Sequence, residues 1–104
     1  MCYIISAMNI DINGIPTYFE EYGPQDAPSV LVLPGWMAKA SIYRIIADAI
    51  SEKYHVILVD MPGFTGDTPE PPEAWDLDGF IDFTVSFTEA LGLKRLTLIG
   101  HSFG

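Results

Sequence analysis

Residues 29–59 read SVLVLPGWMAKASIYRIIADAISEKYHVILV, and this stretch decides the fold. Its two ends, Ser29–Leu33 and His55–Val59, are continuous apolar runs rather than alternating ones. Strands of that composition are covered on both faces, as in a parallel sheet. Pro34-Gly35 stops the first run, and Asp60-Met61-Pro62-Gly63 stops the second. Between them Ser41 is placed to cap a helix. Ile42, Ile45, Ile46, Ala49 and Ile50 fall at helical spacing and predict one apolar stripe, with Arg44, Asp48, Glu52 and Lys53 off it.

Working outward, Met8–Ile12 alternates apolar and polar residues and runs into Asn13-Gly14. Asn-Gly is the strongest short hairpin signal, because both central positions of a type I′ turn need positive φ. Ile15–Tyr22 is the returning strand, and Gly23–Pro28 is a turn cluster. On the other side, Phe64–Trp75 is an acidic, proline-rich excursion. Asp76 is placed to cap a second helix, with Leu77, Phe80, Thr84, Phe87 and Leu91 as its expected buried face and Gly92 as its stop. Arg95–Ile99 is the last strand, followed by Gly100-His101-Ser102-Phe103-Gly104. A β-hairpin followed by β-α-β-α-β makes the class α/β, with a mostly parallel sheet joined by right-handed crossovers.

The chain has 104 residues, enough for one small domain, and no internal repeat. Fourteen acidic residues against five basic ones give a net charge of −9, which repels nucleic acid and anionic membranes alike. The single cysteine, Cys2, cannot form an internal disulfide and reads as an incidental free thiol. One cysteine and two histidines do not make a zinc-finger ligand set. The reducing cytoplasm is the expected compartment. No apolar run approaches the roughly 18 residues of a membrane span. Residues 1–7 lack a basic signal-peptide start and read as an upstream extension before Met8.

Gly100-x-Ser102-x-Gly104 is the sharpest feature. With Gly and Ser each at roughly 7% of residues, the bare pattern arises in about 3% of chains this long. Its position directly after an apolar strand gives it weight. A sharp strand-to-helix turn strains the serine backbone and leaves its neighbours no room for side chains, so glycine is needed on both sides. Such a turn lifts the Ser102 hydroxyl above the carboxyl edge of the sheet, where open α/β sheets bind ligands.

With this motif the chain resembles the α/β-hydrolase superfamily, specifically its serine esterase and lipase-like members. LVLPGW at 31–36 is similar to the family's strand-3 exit, and Asp60-Met61-Pro62-Gly63-Phe64 to its strand-4 exit. Residues 100–104 resemble its nucleophile elbow. The resemblance runs from the hairpin to the last residue. It implies that Ser102 is the nucleophile and that the backbone N–H groups of Trp36 and Phe103 form the oxyanion hole. It implies a strand order 1-2-4-3-5, further strands beyond the fifth, and an acid and a histidine downstream of Ser102. On that pattern residues 1–104 are a single partial domain, incomplete at the C-terminus. No cofactor and no metal is implied.

Two departures stand out. Pro34 occupies the place of a histidine that organises the oxyanion loop, which puts the geometry of that loop in question. Gly63–Thr68 is one residue longer than the common form, so the loop after strand 4 is expected to take its own path.

The remaining candidates have plainer readings. His55 opens its strand at the edge opposite the elbow, and His101 flanks the serine and projects away from it, so neither is placed as a base. Asp60 is expected to bond backbone N–H groups of a nearby loop. Trp75 anchors the proline-rich segment. Trp36 and Met37 either line an acyl pocket or pack the loop. Asp67, Glu70, Glu73, Asp76, Asp78 and Asp82 form a solvated acidic surface.

The sequence thus reads as the N-terminal part of a serine hydrolase acting on a small-molecule ester or related acyl bond. The alternative is a catalytically inactive truncated scaffold or binding module. As the isolated, truncated chain, its uncovered last strand is expected to drive self-association.

Overall fold

The computed structural model describes residues 4–66, 68–93 and 95–104, so Cys2 and Asp67 lie outside the described residues. The two apolar runs are parallel neighbours: β3 (Ser29–Leu33) pairs with β4 (His55–Val59) from Ser29↔His55 to Val32↔Leu58. Every residue of β4 is buried, as a strand covered on both faces requires. β1 (Ile4–Ile12) and β2 (Ile15–Tyr22) form the hairpin, and β2 continues antiparallel onto β4. β5 (Leu96–Gly100) pairs in parallel with β3. The sheet order is β1-β2-β4-β3-β5, the order that the resemblance implies. The hairpin turn is as expected, with Asn13 at φ 52° and Gly14 at φ 88°. β1 begins at Ile4, so residues 4–7 of the expected leading extension pair within the sheet, Ala7 opposite Glu20.

One helix covers each face. On one side α2 (Leu77–Ala90) lays Phe83 and Phe87 over Ile12, Phe19, Leu31 and Ile57, with Phe19 and Phe87 edge to face at 5.5 Å. Asp76 caps this helix, its Oδ1 accepting the Gly79 N–H at 3.1 Å. Gly92, at φ 70°, closes it: its N–H reaches the Glu89 carbonyl and that of Leu93 the Thr88 carbonyl, each at 3.0 Å. The buried face differs from the expected one at two positions. Leu77 is 61% exposed, and Phe83, absent from the expected face, is buried. Trp75 folds back against Gly79 and packs on Phe80 and Phe83.

The other helix corrects the sequence reading more deeply. It starts as a 3-10 turn, Ala40–Tyr43, before becoming α1 (Arg44–Ile50). Ser41 does not cap it. The Ala40 N–H is held at 2.6 Å by Oδ1 of Asp60, a carboxylate twenty residues away at the end of β4. The tighter turn shifts the phase of all that follows. Ala40, Tyr43 and Ala47 face Val32, Val56 and Leu58, with Ile46 and Ile50 at the margin. Ile42 and Ile45 are exposed, so the predicted stripe of isoleucines is not the buried face.

Alternation along β2 sends Tyr18, Glu20 and Tyr22 to the α1 side. Glu20 is fully buried there and accepts from both tyrosine hydroxyls, at 2.6 and 2.5 Å. Arg44 of α1 adds a two-pronged pair, Nε to Oε1 at 2.9 Å and Nη2 to Oε2 at 2.5 Å. These bonds outweigh the cost of burial and lower the carboxyl from 4.5 to about 2. A carboxyl lowered by folding stabilises the fold fully above its unfolded pKa. The contribution is lost as pH falls from about 4.5 towards 2. Glu20→Gln should therefore cost on the order of 2–3 kcal/mol at pH 7. It should also flatten the acid limb of thermal stability over that window. An unchanged acid limb would contradict the role given to this carboxylate.

Candidate active site

β3 and β5 run in register to Leu33↔Gly100, so the segments that leave them emerge side by side at one sheet edge. The segment after β3 begins with Pro34 and Gly35, both buried, and then exposes Trp36 and Met37. The segment after β5 is the Gly-x-Ser-x-Gly turn, in which the Gly104 N–H reaches the His101 carbonyl at 3.1 Å. Ser102 sits at φ 61° and Met37 at φ 69°. Two of the three described non-glycine residues with positive φ thus lie in these two adjoining loops. Strain of this kind persists only where surrounding contacts hold it.

The glycines explain the contact. A Cβ on Gly104 would strike the Leu33 carbonyl, and one on Gly100 would meet the Gly104 carbonyl oxygen at 2.5 Å. A Cβ on Gly35 would lie 3.0 Å from the His101 carbonyl oxygen and 3.1 Å from the Ser102 Cβ. The His101 N–H also reaches the Leu33 carbonyl, at 3.3 Å. The two loops therefore touch through backbone.

Trp36 lies against the turn that carries Ser102 and Phe103. Trp36 and Phe103 have ring centroids 6.4 Å apart, and both pack on the buried Phe64, at 5.0 and 5.6 Å. Phe80 joins them, 5.6 Å from both Phe64 and Phe103. Beside the elbow an open cleft of about 420 Å³ is walled by Trp36, Phe103, Trp75, Phe80 and Pro71. Trp36 thus does both things left open by the sequence: it packs the loop and lines a cleft. Trp75 anchors its segment on Phe80 and Phe83 and faces the same cleft.

Among the described residues the Ser102 hydroxyl and the N–H groups of Trp36 and Phe103 make no hydrogen bond. His101 does not bond to Ser102; its Nδ1 lies 2.9 Å from the Tyr43 hydroxyl. His55 is buried at the far end of β4, its Nε2 2.6 Å from Glu21 and its Nδ1 3.2 Å from Ser29. Asp60 bonds the Ala40 N–H, the backbone role expected of it. In the loop after β4, Thr68 Oγ bonds both the N–H and the carbonyl of Thr65, and the Gly63 N–H reaches the Pro69 carbonyl at 2.8 Å. Glu70, Glu73, Asp76, Asp78 and Asp82 are exposed. Among the described residues no group of three or more His, Cys, Asp or Glu is placed to hold a metal ion. Nor is any helix there long and apolar enough to cross a membrane.

The sequence reading missed Tyr43 and the Glu20–Arg44 pair, and placed Phe80 only on the buried face of its helix. An aromatic residue three positions after a buried alanine, and an acidic residue between two tyrosines, were the available signals.

A family model described as alpha/beta hydrolase fold matches residues 28–104. The chain belongs to the α/β-hydrolase fold family. Epoxide hydrolase A of Mycobacterium tuberculosis is 30% identical to it, over 91% of this chain and 30% of that protein. Human monoacylglycerol lipase ABHD6 is 31% identical over 78% of this chain and 25% of its own length. The crystal structure of a membrane phospholipase A, a bacterial virulence factor, superposes with a TM-score of 0.87 at 29% identity, over 95% of this chain and 32% of that one. The chain spans about a third of the length of the curated relatives that it matches.

The backbone contact between the loops can be tested directly. Gly35→Ala should cost about 1–3 kcal/mol, because its Cβ must displace His101 and Ser102. Gly66→Ala, which meets nothing within 4 Å, should stay within about 0.5 kcal/mol. Thermal unfolding of the two variants compares them, and equal losses would contradict the close approach.

Proposed function

We propose that this chain carries the nucleophile and oxyanion hole of a serine hydrolase acting on an ester or related acyl bond. The observation that carries this reading is Ser102. It is held at φ 61° beyond the carboxyl end of β5, with its hydroxyl and two flanking backbone donors unengaged. In the reaction the hydroxyl attacks the carbonyl, and the oxyanion that forms accepts from the Trp36 and Phe103 N–H groups. Water then cleaves the acyl-enzyme. Epoxide and carbon–halogen hydrolysis on this fold require a carboxylate nucleophile, and residue 102 offers a hydroxyl. The aromatic walls of the neighbouring cleft suit an apolar acyl group.

A serine hydroxyl needs a base within hydrogen-bond reach, and no described side chain supplies one. We assign the base and its acid to sequence beyond Gly104, consistent with relatives about three times as long. The exposed apolar side chains of both faces support the same reading. Ile42 on the 3-10 turn and Ile45 on α1, and Ile81, Val85, Leu98 and Phe103 around β5, are surfaces that further layers would cover. With a single cysteine and a strongly acidic balance, we place the protein in the cytoplasm.

In a form extended beyond Gly104, Ser102→Ala should abolish hydrolysis of a chromogenic short-chain ester. Trp36→Ala, which keeps its backbone donor, should cost less; equal losses would overturn the backbone role. The 104-residue chain alone should turn over no more ester than its Ser102→Ala control. Turnover that vanished in the control would overturn this expectation. Open β5 beside Leu98 should make the isolated chain oligomeric in sedimentation velocity, whereas a sharp monomer would contradict this.

A further inference from the structure

We propose that Tyr43 is the positioning residue of the oxyanion loop, tying Gly35 to the nucleophile elbow through a single hydroxyl. The inference rests on reading Ser102 as the nucleophile and the Trp36 N–H as an oxyanion donor.

A backbone donor is only as well aimed as its peptide plane. The Trp36 N–H shares a rigid, planar unit with the Gly35 carbonyl. Gly35 is a glycine because His101 and Ser102 crowd it, and glycine by itself fixes neither of its dihedrals. Two hydrogen bonds restrict it from outside. Its carbonyl accepts the Ala38 N–H at 3.1 Å, and its own N–H donates to the Tyr43 hydroxyl at 2.7 Å. Together these fix both sides of the residue and hence the direction of the Trp36 N–H.

The same hydroxyl lies 2.9 Å from Nδ1 of His101, the residue before Ser102. One oxygen thus sets the oxyanion loop relative to the elbow. Tyr43 is itself held firmly. Its ring is 6% exposed, packs on the buried apolar layer under α1, and meets the His101 ring at 5.8 Å. Pro34, at the position where the sequence departs from the family pattern, has no N–H and a hydrocarbon side chain, so it makes no polar tie to the loop. Tyr43 reaches the loop from the neighbouring 3-10 turn and supplies one.

The test is Tyr43→Phe in the full-length chain, which keeps the ring and removes the oxygen. Covalent labelling of Ser102 by a fluorophosphonate probe should slow about 10–100-fold, somewhat less than the loss of an oxyanion donor outright. For a short-chain ester kcat should fall by a similar factor while KM stays within about twofold. Hydrogen exchange at the Gly35 amide, read by NMR, should accelerate at least about tenfold. Labelling of wild type and variant at equal rates would overturn the role of Tyr43. So would an unchanged Gly35 amide, or loss of the fold in the variant, since Tyr43 would then be structural. A wild-type protein that did not label at Ser102 would instead sink the serine-hydrolase reading itself.

Discussion

The parallel pairing of β3 with β5 is the constraint on which the rest of the structure depends. The ladder runs from Ser29↔Leu96 to Leu33↔Gly100, so both strands end at the same level and both chains must turn there. Open α/β sheets place their chemistry at that edge because the strand ends leave a crevice there. In this chain the crevice floor is backbone. The Leu33 carbonyl accepts the His101 N–H, a Cβ on Gly104 would strike the Leu33 carbonyl, and one on Gly35 would crowd His101 and Ser102.

Close backbone packing leaves buried donors that need partners, and in this molecule sequence-distant side chains supply them. Asp60, at the end of β4, takes the Ala40 N–H, and Tyr43 takes that of Gly35. Arg44, one residue further on, reaches across to Glu20 on β2. The short segment from Ala40 to Arg44 is therefore bonded to the β4 exit, to the β3 exit and to the hairpin. The positive φ of Met37 and of Ser102 is held by this framework on one side. On the other it is held by the packing of Trp36 and Phe103 against Phe64.

The frame does not by itself choose a reaction. An epoxide hydrolase, a monoacylglycerol lipase and a phospholipase share it with this chain at comparable identity. Chemistry on a shared fold resides in the groups presented at the site. At this edge the chain presents a hydroxyl at position 102 beside a cleft walled in part by indole and phenyl rings.

By itself the sequence determined the α/β class, the hairpin at Asn13-Gly14, the three parallel strands and the glycine-flanked turn that follows the last of them. Each of these follows from local pattern: continuous apolar runs, a turn dipeptide, glycines at a strand exit. What it misjudged was phase. Ser41 looked like a cap and the isoleucines like a stripe. Asp60 instead captured the Ala40 N–H, and the tighter first turn rotated Tyr43 and Ala47 inward. The partners of Glu20, Tyr43 and His101 were likewise decided only by tertiary structure. A buried polar group bonds to whatever donor or acceptor the fold brings within about 3 Å, and sequence spacing carries no record of a neighbour twenty-four or fifty-eight residues away.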